Sequence, residues 1–325
     1  MSDTRKGYVL VTGANGFIGQ ALCRTIRQAG FNVRACVRSK ENGRFTDCET
    51  IEVGEIGPHT QWQNALMGVE TVIHLAAITQ VRKKKFDSLE IFRKVNVAGT
   101  GRLAHMAAQA GVKRFIFISS VKVNGEGSCR PYTEEDAPEP KDAYGISKRE
   151  AEDLLAYIAN QTGLQTVVLR IPLVYGPGVK SNFKSLLDAV ALGLPLPFKA
   201  IHNQRSFIYL GNLIDAIITC ITHPLAAGQT FMVSDGQDIS TPDLIKMLAL
   251  AMDKKPILFS LNPAILKTLC RIVGKGEEIE KLTGTILIDN SKIKNLLGWK
   301  TPFSLEEGLK DTVKYYQKCR DVSLI

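Results

Sequence analysis

The stretch Tyr8-Val9-Leu10-Val11-Thr12-Gly13-Ala14-Asn15-Gly16-Phe17-Ile18-Gly19 decides the fold. Tyr8 to Val11 is a compact apolar run of the kind that forms a strand covered on both faces. Glycines follow at G-x-x-G-x-x-G spacing, and Ala21 to Ala29 continues in a helical pattern. Each glycine has a physical reason. Gly13 allows a tight turn, Gly16 lets backbone approach a pyrophosphate, and Gly19 lets the helix pack closely on the sheet. The first turn of that helix, with its unsatisfied N–H groups, then faces the phosphates. A glycine triplet alone could be a structural turn; a strand before it and a helix after it make the phosphate reading specific.

Working outward, further strands are expected at 31–37, 50–53, 71–75, 113–119 and 165–171, separated by helical stretches around 95–110 and 148–162. This alternation predicts an α/β Rossmann fold, a doubly wound parallel sheet with helices on both faces. After Arg170 the texture changes, with Pro172, Pro177, Pro195 and Pro197 close together, a helix expected over 182–192, and helical patterns dominating from Thr241. The organisation read from this is a dinucleotide-binding domain over 1–171, to which 206–221 returns as a strand and then a helix. Residues 172–325 form mainly a smaller, partly interleaved substrate subdomain. Pro263 to Val273, apolar with Lys267 and Arg271 interspersed, suits an amphipathic helix packed on its own protein, with contact to a membrane surface as the alternative.

The bulk numbers exclude several classes. The 325 residues are 45% apolar and 22% charged, an ordinary globular balance with volume for a core. No apolar run reaches the ~18–20 residues that span a bilayer, and the polar start from Met1 to Lys6 is unlike a signal peptide. The net charge of +9 could suit nucleic acid, but no such motif is present; a scattered excess of cations that attracts small anions is preferred. The densest run, Arg82-Lys83-Lys84-Lys85, reads as a solvated loop. The seven cysteines lack C-x-x-C spacing, which argues against a metal site or a disulfide framework and suits a reducing cytoplasm.

Two further patterns carry chemistry. The second strand ends Arg34-Ala35-Cys36-Val37-Arg38-Ser39, with no acid to hold a ribose 2′-hydroxyl and two arginines able to pair with a 2′-phosphate. This favours NADP(H) over NAD(H), plain surface charge being the bland alternative for Arg34 and Arg38. Asp142-Ala143-Tyr144-Gly145-Ile146-Ser147-Lys148 contains Tyr-x-x-x-Lys, which at the start of a helix puts both side chains on one face. A nearby ammonium would lower the tyrosine pKa from its usual ~10 towards useful proton exchange. Ser120 follows the strand 113–119 at the carboxyl edge of the sheet, placed to hydrogen-bond a reacting oxygen.

Taken jointly, the glycine fingerprint, Ser120 and Tyr144-x-x-x-Lys148 resemble the extended short-chain dehydrogenase/reductase family, the NAD-dependent epimerase/dehydratase group, over nearly the whole length. His74-Leu75-Ala76-Ala77 resembles its turn beside the cofactor, Asn96 to Thr100 its Asn-containing helix, Leu169 to Pro177 its segment entering the substrate domain, and Gln204 to Ile208 its Arg-Asp-Phe/Tyr element. The resemblance implies Ser120, Tyr144 and Lys148 as the catalytic set. Besides the fingerprint residues Gly13, Asn15, Gly16, Phe17, Ile18 and Gly19, it implies cofactor contacts from Arg34, Arg38, Glu55, Ile56, Leu75, Ala76, Ala77, Asn96, Tyr144, Lys148 and Ile171. It implies substrate contacts from Ser120, Lys122, Asn182 and Arg205, the last gripping a diphosphate, and a homodimer built from two helices per subunit.

Departures from the pattern narrow the activity. Where the family's 4,6-dehydratases carry Asp-Glu, this chain has Val121-Lys122, which cannot supply that acid/base pair. The family's sugar-contacting Asn stands here as Leu173. The wording of 119–126, 174–183 and 195–207 is similar to a subgroup of bacterial surface-polysaccharide and O-antigen pathways. That subgroup contains UDP-glucose 4-epimerase-like proteins and reductases of UDP-linked 4-keto-6-deoxy-N-acetylhexosamines, which form UDP-N-acetylquinovosamine. With the arginines of the second strand, the expectation is an NADP(H)-dependent 4-ketoreductase of a nucleotide sugar. An NAD-dependent 4-epimerase is the alternative, and a catalytically inactive cofactor sensor a weaker one.

Overall fold

Short apolar strands alternate with amphipathic helices along the first half of the chain, because the central strands are buried on both faces and the helices cover those faces. The computed structural model describes residues 7–39, 45, 48–80, 88–127, 130–272, 274 and 276–322. The basic run 82–85 and Cys129 lie outside these residues. β1 (Tyr8–Thr12) feeds α1 (Phe17–Gln28), followed by β2 (Asn32–Val37), β3 (Glu49–Glu52), the short α2 (Gln63–Leu66) and β4 (Val69–His74). Next come α3 (Ser88–Phe92), a wider π-turn over Arg93–Gly99, α4 (Thr100–Gln109), β5 (Arg114–Ser120), α5 (Ala143–Thr162) and β6 (Gln165–Ile171). The remainder comprises β7 (Leu173–Tyr175), α6 (Ser181–Ala191), β8 (Phe207–Tyr209), α7 (Leu210–Thr222), β9 (Gln229–Met232), α8 (Thr241–Ala251), α9 (Pro263–Ile272), α10 (Gly276–Thr283), α11 (Ser291–Leu297) and α12 (Leu305–Val322).

Seven strands form one parallel sheet in the order β3-β2-β1-β4-β5-β6-β9. The order reverses at β1, so the crevice outside the carboxyl ends of β1 and β4 is the switch point where such sheets take ligands. One face of the sheet packs on α1 and α7 through Leu22, Ile26, Leu213 and Ile217; the other packs on α4 and α5 through Leu103, Ala107, Ala151 and Leu155. A second core joins α6, α8 and α12 through Leu187, Leu248 and Leu309. This is the α/β doubly wound architecture expected from the sequence.

The placement of 206–221 differs in one respect. Its strand, β8, pairs with β7 in a separate two-stranded sheet, and the main sheet is completed by β9, while α7 does pack against α1. Three residues is too short a strand for its pairing to be read from its own pattern. α9 buries Leu266 and leaves Ile265, Leu269 and Ile272 exposed. No helix among the described residues is long and apolar enough to cross a membrane.

Candidate active site

The turn after β1 is shaped by two close approaches. Gly13 has φ +68°, and a Cβ there would sit 2.9 Å from the Ala76 nitrogen, so only glycine lets the turn lie against the end of β4. A Cβ on Gly19 would stand 2.3 Å from the Gly13 carbonyl oxygen, so the helix packs directly on its own turn. Gly16 is the N-cap of α1; no side chain caps that end and no acid lies in the first turn, leaving its N–H groups for an anion.

Beneath the turn, the Thr12 hydroxyl bonds His74 Nδ1 at 2.7 Å, and His74 Nε2 bonds the Thr100 hydroxyl at 3.0 Å. Thr100 donates onward to the Asn96 carbonyl at 2.6 Å, so Nε2 carries the imidazole proton. Burial, with Lys148 adding, lowers the His74 pKa to about 3, and the ring is a neutral pin between β1, β4 and α4.

A cleft of about 360 Å³ opens at this switch point. Of the residues implied by the resemblance, Gly13, Asn15, Arg38, Glu55, Ile56, Ala76 and Ala77 line it. Phe17 lines a neighbouring hollow with Gly178 and Lys180, and Ile18, Leu75 and Ile171 pack into or onto the core beneath. Asn96 is not in the wall. Its amide holds both backbone groups of Ile78, each at 2.9 Å, and donates to Ser147 at 3.0 Å, so it fixes a wall segment from behind. Val53, Gly54 and Val95 line the cleft and were not singled out in the sequence; the first two follow β3 directly, which is the signal that could have found them.

The reading of Arg34 is corrected. Its guanidinium donates to the Ala65 and Met67 carbonyls at 2.9 and 2.6 Å, pairs with Glu49 at 3.0 Å, and lies over the Tyr8 ring. It stands in the middle of β2, opposite Leu10, and reaches Tyr8 and Glu49 at the amino ends of β1 and β3, whereas the cleft lies beyond the carboxyl end. Of the two arginines only Arg38 lines the cleft, and Glu55 lines it as well.

Ser120, Tyr144 and Lys148 come together at the carboxyl end of β5. Ser120 Oγ accepts from the Lys122 N–H at 3.2 Å, closing the short 3-10 turn Val121–Val123. Asp142 caps α5 by accepting from the Gly145 N–H at 2.7 Å, which sets Tyr144 in the first turn and Lys148 one turn on. Tyr144 and Ser120 stand together in the wall of one cleft. Burial, reinforced by Asp142, pushes the Tyr144 phenol above the usual tyrosine range, and Ser120 only partly opposes this. That is the reverse of the lowering expected from Lys148. The lysine's own ammonium is disfavoured by burial, although the Ile118 carbonyl that accepts from it at 2.7 Å and the Phe117 ring 4.3 Å below it both favour the charge. Burial lowers its pKa to about 7, with Glu152 opposing.

A second cleft, of about 390 Å³, has Ser120 and Tyr144 in its wall together with Lys122, Asn182 and Arg205. The structure therefore brings every implied substrate residue to one space. Lys122 is engaged by Asp142 and, at 2.9 Å, by Glu126, so its charge is largely answered within the chain. Arg205 differs: it donates to the Gly284 carbonyl at 3.1 Å, and no ion pair to a carboxylate is seen for it among the described residues. Burial lowers its pKa to about 10, which leaves a cation facing the cleft. Thr79, Gln80 and Leu173 also line the wall; Leu173 is the only one of these three that the sequence pattern had marked. A further hollow of about 570 Å³ lies at the amino ends of β4, β5 and β6, around Thr71, Arg114 and Gln165, on the edge opposite to both clefts.

A doubly wound sheet whose first helix has an uncapped N-terminus at the switch point, with Ser120 and Tyr144 in the wall of a second cleft, is the architecture of dinucleotide-binding α/β enzymes. Residues 9–234 match the model of the NAD dependent epimerase/dehydratase family, and the chain belongs to that family. It is 42% identical over 314 residues to the UDP-glucose 4-epimerase of Vibrio cholerae, covering 95% of each chain. Among solved structures, the UDP-glucose 4-epimerase of Thermotoga maritima with UDP-glucose matches with a TM-score of 0.77 at 26% identity, covering 96% of this chain and 99% of that one. MoeE5 in complex with UDP-glucuronic acid and NAD matches at 0.79 and 26%, covering 96% and 100%.

Proposed function

We propose that the chain is an NAD-linked 4-epimerase of UDP-hexoses, with Ser120, Tyr144 and Lys148 at its chemical centre. The observation that carries the reading is the 42% identity to the Vibrio cholerae UDP-glucose 4-epimerase across 95% of both chains. This favours epimerisation over the 4-ketoreductase expected from the sequence. That expectation leaned on two arginines for NADP(H), and Arg34 is committed elsewhere. The NAD in the MoeE5 complex supports NAD as the cofactor.

The residues present fit a dinucleotide. The N–H groups at the start of α1 and the close turn at Gly13 would hold its pyrophosphate, and Glu55 would suit a free ribose 2′-hydroxyl better than a 2′-phosphate. Bound there, NAD would supply the hydride acceptor and donor for the sugar C4. Tyr144 would take the 4-hydroxyl proton as hydride leaves, giving a 4-keto sugar, and would return it when hydride comes back to the opposite face. Ser120 would hold the same sugar oxygen, and Lys148 would favour the phenolate. Arg205 would bind the UDP diphosphate, whose charge matches a cation without a carboxylate.

The test is product analysis of UDP-glucose and UDP-N-acetylglucosamine incubated with the protein. Inversion at C4 with no net change in cofactor supports the reading. Its absence, with NADPH oxidised by a UDP-4-keto sugar, would return the assignment to the reductase.

A further inference from the structure

Below the Ser–Tyr–Lys group lies a buried ionic network that the proposed chemistry does not use. Glu152 stands one turn after Lys148 on α5, with its side chain 6% exposed, and pairs with Arg170 of β6, itself 4% exposed. Arg170 Nε donates to both Glu152 oxygens at 3.2 Å, and Nη2 donates to one at 2.7 Å. The hydroxyl of Ser119 donates to the other oxygen at 2.5 Å. The second Arg170 arm donates to Asn124 Oδ1 at 3.0 Å, and Asn124 donates to the Thr133 carbonyl at 3.2 Å. The network thus ties the helix that carries Tyr144 and Lys148 to the strand residue next to Ser120, and to the turn that follows it.

Taking a carboxylate and a guanidinium out of water carries a large desolvation penalty that pairing only repays, and an apolar pair would hold a helix on a sheet as well. The position of the carboxylate suggests what the charge is for. We propose that Glu152 is a positioning residue of the site, the counter-charge that keeps Lys148 an ammonium while Ser119 and Arg170 fix its place. This rests on the functional reading above.

The groups around Lys148 leave few other sources of negative charge. β5 offers the Ile118 carbonyl and the Phe117 ring, β4 offers the neutral His74, and the helix itself offers Tyr144 and Glu152. Arg170 from β6 faces Glu152 and draws on its charge. Asp142, at the start of the helix, acts on Tyr144 and is bonded to Lys122. The depressed basicity of Lys148, with Glu152 as the one opposing charge, agrees with this assignment.

The experiment is the pH dependence of kcat for UDP-glucose epimerisation by the cofactor-replete protein. As pH rises, loss of the Lys148 proton gives a falling alkaline limb. E152Q keeps the shape and removes the charge, and its limb should move to lower pH by about 1 unit or more. R170Q leaves the carboxylate unopposed, and its limb should move to higher pH. A purely structural network would lower kcat evenly and leave the limb where it is, so an unmoved limb in whichever variant folds overturns the proposal. Titration of Lys148 by NMR of ε-carbon-labelled lysine reads the same shifts without turnover. A parent protein inactive on UDP-glucose but with Lys148 shifted in E152Q would overturn the epimerase reading and support the role of Glu152.

Discussion

Arg34 and Arg38 lie on one strand and its extension but serve opposite ends of it: Arg34 is locked to Glu49 at 3.0 Å, and Arg38 lines the cofactor cleft. Four residues of extended chain separate them by about 13 Å. Arg34→Ala should therefore cost stability, about 2 kcal/mol for the loss of charged hydrogen bonds to two carbonyls, with the dissociation constant of NAD unchanged. Urea unfolding and cofactor titration check both parts. A loss of NADPH affinity in this variant alone would restore the 2′-phosphate role of Arg34.

Tyr144→Phe removes the hydroxyl of the residue that shares a cleft wall with Ser120 and keeps the ring against Phe92. Turnover should fall by roughly 10²–10⁴-fold, the usual worth of a positioned general acid–base, while UDP-sugar binding persists. Ser120→Ala should act in the same direction and more weakly. Steady-state kinetics and equilibrium binding on the same preparation separate the two quantities.

Arg205→Gln should raise the dissociation constant of UDP by roughly 10- to 100-fold, the worth of one charged hydrogen-bonding contact. The effect should be far smaller for free hexose. Isothermal titration with UDP checks it, and unchanged UDP affinity would remove Arg205 from the phosphate site.

The acid side of the stability curve should carry the signature of His74. Its folded pKa is lowered from 6.5 to about 3, so between these values the unfolded chain binds the proton and the folded chain does not. Stability then rises with pH across that window and is lost as pH falls through it. Thermal melts from pH 7 to pH 3 should show this slope in the parent protein. His74→Gln should have a lower Tm at pH 7 and a shallower slope below it.

Much of this was legible from sequence because the information is local. Tyr8 to Gly19 fixes strand, turn and helix in sequence order, and Tyr144-x-x-x-Lys148 fixes a shared helix face. What escaped depends on distance along an element or across the chain. The direction of Arg34 follows from where along β2 it stands, and two arginines in one strand look equivalent until the sheet's carboxyl edge is located. The charge of Lys122 is taken up by Asp142, which lies twenty residues away. The raised Tyr144 pKa reflects burial that spacing does not report. β8 and β9 are three and four residues long, and their pairing is decided by the strands they meet.

The most direct test of the central claim is to incubate the purified protein with UDP-glucose and no added cofactor, and to identify the nucleotide released on denaturation. The account predicts conversion to UDP-galactose sustained by bound NAD, with no net oxidation or reduction. Failure to invert C4, together with stoichiometric NADPH oxidation when freshly made UDP-4-keto-6-deoxy-N-acetylglucosamine is supplied, would contradict it.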